Sequence, residues 1–117
     1  KGNVIIKVVE GKIDKVTFKN YCRKIDILTK TNKIELLNNW DGTDFYDGAD
    51  ISKNFKLSNK HKNYPTIDHK ISKFEGFIKK LTTENMSNID NLCITTRSNN
   101  SKKSRMNYIE YILKISA

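Results

Sequence analysis

The chain has 117 residues, 37% of them hydrophobic and 30% charged, and carries a formal net charge of +9 at pH 7. That length suits one domain that closes its core without disulfides or metal. No stretch approaches the apolar length of a membrane span and no signal peptide is visible, so a cytoplasmic location is expected.

The chain starts at Lys1 rather than at a methionine, which leaves room for an upstream domain. Val4 to Val9 is an apolar, β-branched run ending before Gly11, the pattern of a strand. From Thr17, a candidate cap, apolar residues fall at Phe18, Tyr21, Cys22, Ile25 and Leu28. This is the spacing of an amphipathic helix. Residues 34–40 fit helix or strand. Asp41-Gly42 and Asp47-Gly48 are turn dipeptides, and they predict a small turn-rich β element in which the aromatic residues pack on the core.

Residues 53–63 are polar and lysine-rich, as in a loop, and His61 reads as a solvated residue there. After Pro65, Ile67, His69 and Ile71 alternate with Thr66, Asp68 and Lys70 in the pattern of a short strand. Residues 72–90 read as a long connection with some helix. Leu92 to Thr95 forms a second strand. From Arg97 the chain reads as one helix, capped by Thr96, with Met106, Ile109, Ile112 and Leu113 on its apolar face. The two cysteines, Cys22 and Cys93, lie in apolar contexts and form no CxxC pair, so buried free thiols are expected.

Charge is unevenly spread. Residues 1–50 carry nine Lys/Arg against eight Asp/Glu, and residues 51–117 carry thirteen against five. A basic half-chain points to a polyanion such as nucleic acid. A solubilising lysine coat gives the same count, so the charge needs a motif beside it.

That motif is the register of Asp68-His69, Asn91-Leu92, Asn100 and Lys103. It resembles the HNH endonuclease family over residues 64–105. The resemblance implies an α+β fold: a ββα-metal finger in residues 61–117, with an N-terminal strand/helix extension in residues 1–60 as scaffold or specificity surface. It also implies DNA as partner and one divalent metal. Asp68 and Asn100 would hold the metal, His69 would activate water, and the Asn91 amide would bond loop backbone and orient His69. Lys70, Arg97, Lys103 and Arg105 would contact phosphates.

The residue types suit that chemistry. A carboxylate and an amide oxygen favour Mg²⁺ or Mn²⁺, and an imidazole titrates near neutrality. Many family members add two zinc-binding CxxC pairs. The second pair would fall at Thr96 and Asn99, so structural Zn²⁺ is not expected, and packing by Cys93 and the 106–113 face must replace it. Glu75 and Asp90 read as structural, with Glu75 a candidate for a supporting role near the site. One finger carries one centre, so a monomer would nick and a homodimer would be needed to cut both strands. The alternatives are a non-catalytic basic nucleic-acid-binding module, or an RNA or branched-DNA nuclease with the same finger. Homing, restriction and phage DNA-processing enzymes share this motif, which leaves the biological role open.

Overall fold

A computed structural model describes residues 15–117. The strand expected at Val4–Val9 lies outside the described residues. Among the described residues the protein is a compact mixed α+β domain of five α-helices and a two-stranded antiparallel sheet. None of these helices is long and apolar enough to cross a membrane.

Helix α1 runs from Lys15 to Asn38, so residues 34–38 are helical and Thr17 lies inside the helix rather than at its cap. Its inner stripe buries Ile25 and Thr29 and half-buries Phe18, Tyr21 and Leu28. That stripe rests on α2 (Lys73–Ile78) and α3 (Thr83–Met86). Phe18 and Tyr21 meet Phe77 edge to face, with centroids 5.1 and 5.3 Å away, a geometry favoured by the ring quadrupoles. Gly76 makes the close approach possible, since a Cβ there would sit 2.4 Å from Met86 Sδ. Ser72 and Thr82 cap the two short helices by accepting from Glu75 N and Asn85 N.

Residues 41–52 form the expected turn-rich element, closed by a single antiparallel bridge between Thr43 and Asp50. Asp41 and Asp47 each accept from the backbone N–H two residues on, which pins the turns. Gly42 has φ +87°, a conformation that L side chains rarely adopt. A 3₁₀ turn at Asn54–Lys56 interrupts the lysine-rich loop.

Strands β1 (Pro65–His69) and β2 (Leu92–Thr96) pair antiparallel, with His69 opposite Leu92 and Pro65 opposite Thr96. All five residues of β2 are buried. A 3₁₀ turn, Ile89–Asn91, leads into β2. Thr96 then caps α4 (Arg97–Lys103) by accepting from Asn99 N.

The single helix expected from Arg97 onward is two helices. Ser104 takes φ 51° and ψ −123°, which ends α4, and α5 (Tyr108–Ser116) starts from a fresh cap at Asn107. The break rotates the apolar face. Tyr111 is the buried residue of α5, with Met106, Tyr108 and Ile112 packed beside it, while Ile109 and Leu113 are 54% and 67% exposed.

Tyr111 packs edge to face on Tyr46 at 5.1 Å and joins Cys93 in a small apolar core. Both cysteines are free, Cys93 buried and Cys22 half-buried. The core is thin, and a buried polar staple carries much of the load. The Asp44 side chain is 1% exposed. Its Oδ1 accepts from Thr95 Oγ1 and Tyr46 N, and its Oδ2 from Thr96 N and Asn99 Nδ2. Asn99 Nδ2 also donates to Asp47, and its Oδ1 accepts from the Tyr111 hydroxyl at 2.6 Å. The expectation that apolar packing alone holds this region is therefore corrected. Residue 60 is no break in packing either, because Asp44 reaches across to β2 and α4.

Asp44→Ala removes four accepted hydrogen bonds and leaves their buried donors unpaired. We expect a loss of about 3 kcal/mol in unfolding free energy, lowering the thermal midpoint by more than about 10 °C for a domain of this size. Calorimetry measures it, and a loss within 1 °C of zero would refute the staple.

Candidate functional site

The end of β1 faces an open cleft of about 520 Å³. Asp68, His69 and Asn100 all line it, together with Asp26, Thr29 and Lys30 of α1, and Lys73 and Ser104. A larger hollow of about 620 Å³ lies elsewhere, between the C-terminal end of α1, the 41–48 turns and β2. Glu35, Asp41 and Asp90 line it with no lysine or arginine, so it does not suit a polyanion.

Neighbours on a strand point to opposite faces, and the two key residues do so here. Asp68 turns towards Tyr46 and Lys103. The Tyr46 hydroxyl donates a short hydrogen bond to Asp68 Oδ2, and Lys103 Nζ lies 3.3 Å from the same oxygen. Asp68's other oxygen takes neither contact. Burial pushes the Asp68 carboxyl above its ordinary range, while Lys103 and Tyr46 pull it back. Burial also raises the Tyr46 phenol and lifts the Cys93 thiol to about 12, so both remain protonated.

His69 turns the other way, towards α1. Its Nε2 lies 3.1 Å from Thr29 Oγ1 in a buried contact. Nδ1 has no hydrogen-bond partner among the described residues, where no side-chain nitrogen or oxygen is buried without one. Nδ1 is therefore not fully buried, and His69 is one of the residues lining the cleft. Burial, reinforced by the charges of Lys73 and Lys103, lowers the His69 pKa from 6.5 to about 4. At neutral pH the ring is uncharged and has a lone pair to offer.

Asn91 sits behind this end of the strand. Its Oδ1 accepts from Ile71 N at 2.9 Å and its Nδ2 donates to Met86 O at 2.9 Å. Its own carbonyl accepts from Lys70 N. Asn91 thus clamps the backbone just past His69 and does not touch the imidazole. Asn100 reaches over from α4, where its Nδ2 donates to Thr66 Oγ1 at 3.2 Å. Its amide oxygen takes no hydrogen bond among the described residues.

Asp68 and Asn100 supply one carboxyl and one amide oxygen at the same cleft. Among the described residues no three His, Cys, Asp or Glu side chains gather as a metal site. One carboxyl and one amide oxygen would suit a hard ion that keeps waters and shares its shell with a phosphate, as Mg²⁺ and Mn²⁺ do. Thr96 and Asn99 are engaged in the helix cap and in the Asp44 staple.

Of the four cations expected at phosphates, Lys103 is corrected. It is fully buried, and its Nζ donates to the His69 carbonyl at 2.9 Å, so it braces the site from behind. Lys70 lies over the Phe45 ring at 4.8 Å and Arg105 over the Phe74 ring at 4.1 Å, while Arg97 is exposed at the start of α4. None of these three lines the cleft. The cations that do are Lys30 and Lys73, and Lys73 also pairs with Asp26 at 2.5 Å across the cleft. Thr29 and Lys30 escaped the sequence reading because no spacing links α1 to the Asp68-His69 motif, and Lys73 because residues 72–90 read as a connection. Glu75 pairs with Lys79 within α2 and His61 accepts from Asn63 N in its loop, both away from the cleft.

No protein-family model, curated protein or solved structure matches this chain.

Two predictions follow from this geometry. Lys103→Ala leaves Asp68 buried without its cation, and we expect a loss of about 3–5 kcal/mol in denaturant unfolding. A stable variant that only weakened DNA binding would return Lys103 to the phosphate-contacting set. Between about pH 6.5 and 4 the unfolded chain binds a proton that native His69 refuses, so His69 makes stability fall as pH falls through that window. Asp68, shifted upward, acts with the opposite sign. The difference between wild type and His69→Gln isolates the histidine: the wild type should lose more stability than the variant from pH 7 to 4.5. Parallel pH curves would contradict a buried neutral imidazole.

Proposed function

We propose that the chain is a metal-dependent endonuclease that hydrolyses DNA phosphodiester bonds and nicks one strand as a monomer. In this reading β1, β2 and α4 are a ββα-metal finger of the HNH type. One observation carries it: a neutral histidine, anchored through Nε2 and with Nδ1 not fully buried, lines a lysine-edged cleft that also holds Asp68 and Asn100.

His69 acts as general base. A cleft water loses its proton to Nδ1 as its oxygen bonds to phosphorus, and the bond to the leaving oxygen breaks. The contact with Thr29 suits this direction, since an Nε2–H donated to Thr29 Oγ1 leaves the lone pair on Nδ1. A pKa near 4 makes for a weak base in the free protein. A phosphodiester brings negative charge beside the ring and raises its proton affinity when hydrolysis needs it. Asp68 and Asn100 would hold Mg²⁺ or Mn²⁺, which would neutralise charge developing on the phosphate and leaving oxygens. Lys73 stands where it can exchange Asp26 for a substrate phosphate, and Lys103 keeps Asp68 and the His69 backbone in place.

The reading is tested by nicking of supercoiled plasmid in Mg²⁺ or Mn²⁺, with linear duplex, branched DNA and RNA in parallel. His69→Ala should slow nicking by at least about 100-fold. Asp68→Ala and Asn100→Ala should demand more metal, and Thr29→Val should lower turnover more than Thr29→Ser. Salt-sensitive DNA binding with no cleavage by the wild type would favour a non-catalytic module. Cleavage untouched by His69→Ala would sink the assigned chemistry.

A further inference from the structure

The stripe of α1 that reaches His69 does not stop at Thr29. Lys30, Lys33 and Leu37 continue it towards the C-terminal end of the helix. They wall a second hollow of about 240 Å³, with Phe55, Tyr64 and Pro65 opposite. Thr29, Lys30 and Ile67 line both hollows, so the two adjoin along α1.

The chemistry changes from one hollow to the other. The His69 end carries titratable and polar groups, whereas the second hollow is walled by aliphatic and aromatic side chains. Phe55 is 42% exposed although it is a large apolar ring. It stands edge-on to Tyr64 at 5.4 Å and to Trp40 at 6.1 Å, which fixes its orientation at the rim. Lys30 and Lys33 are exposed and, unlike Lys24, Lys73 and Lys79, pair with no carboxyl group among the described residues. Two unneutralised ammonium groups beside an aromatic-walled hollow match a flat heterocycle joined to a phosphate. The volume is below that of a site for a drug-sized molecule, so it suits one base and not a base pair.

Resting on the nuclease reading above, we propose that this hollow receives one unpaired nucleotide of the substrate strand, next to the phosphate being cut. Its base lies against Phe55 and Tyr64, and Lys30 and Lys33 hold the adjoining phosphate. Sequence-tolerant stacking on aromatic rings beside a basic track is a general mode of single-strand binding. A base in a duplex must leave its stack to enter. The preferred substrate is then single-stranded DNA, or DNA unpaired at a branch or flap.

The test is binding to the intact protein in EDTA, so that no cleavage intervenes. The probes are a labelled thymidine oligonucleotide, an abasic oligonucleotide of the same length, and a duplex, each read by anisotropy. Trp40, the only tryptophan, offers a second signal through its contact with Phe55. We expect the thymidine strand to bind about tenfold or more tighter than the duplex. Phe55→Ala should weaken that binding by about tenfold and leave the abasic strand unaffected. Lys33→Gln should weaken both strands alike and lower the salt slope by about one. Equal binding of single strand and duplex, or a Phe55→Ala effect of the same size on the abasic strand, would overturn the subsite. If plasmid is nicked in Mg²⁺ while Phe55→Ala changes no affinity, the subsite fails and the nuclease reading stands. If base-dependent binding is found without cleavage by the wild type, the nuclease reading fails and the subsite stands as a binding site alone.

Discussion

The buried ammonium of Lys103 is the constraint on which the site depends. An ammonium group taken fully out of water is costly unless acceptors replace its hydration. Here both acceptors belong to the last two residues of β1, the His69 carbonyl and the Asp68 carboxyl. The interaction therefore fixes where α4 sits against the strand end. Asn100 stands one turn earlier on α4, so the same contact sets how its amide oxygen meets the cleft. Tyr46 donates to the same Asp68 oxygen that Lys103 approaches, so both partners hold one end of the carboxyl.

A second tier of buried polar contacts holds that arrangement on the rest of the chain. Asp44 and Asp47, three residues apart in one turn, converge on Asn99, and Asp44 also takes the N–H of Thr96, three residues before Asn99. Two pairs of identical spacing thus meet through hydrogen bonds. Tyr111 closes the network by donating to Asn99 while its ring packs on Tyr46. Since no buried side-chain nitrogen or oxygen is left unpaired among the described residues, the network is of the fully satisfied kind that rigidifies a structure. This explains how a small apolar core can support a defined cleft.

Much of this was legible in the sequence, and the failures have physical causes. Helical spacing identified α1, and Pro65 followed by alternation identified β1. The register of Asp68, His69 and Asn100 gathered three residues that do line one cleft. Lys103 was assigned to phosphates through the resemblance, and only the folded chain shows the pocket that swallows it. The 97–113 segment carries neither Gly nor Pro, so the break at Ser104, a strained φ on an ordinary residue, left no mark. Asp44 carried no signal of its own, since the turn dipeptides lie at Asp41-Gly42 and Asp47-Gly48. Thr29 gave no signal, since its partner lies forty residues on.

The location of charge was the least legible feature. The excess of positive charge lies in residues 51–117, yet Lys30 and Lys33, the unpaired cations of the second hollow, come from the balanced half. Lys70 and Arg105, in the basic half, rest on aromatic rings away from the cleft. Net charge sets the long-range field that draws a polyanion towards the surface. In the proposed function, which phosphate is held would depend on the few ammonium groups that share a wall with His69. Because α1 supplies that wall and also the hydroxyl at Nε2, the proposed finger is an incomplete site on its own. In the proposed function, residues before 60 would then belong to the site and not only to its scaffold.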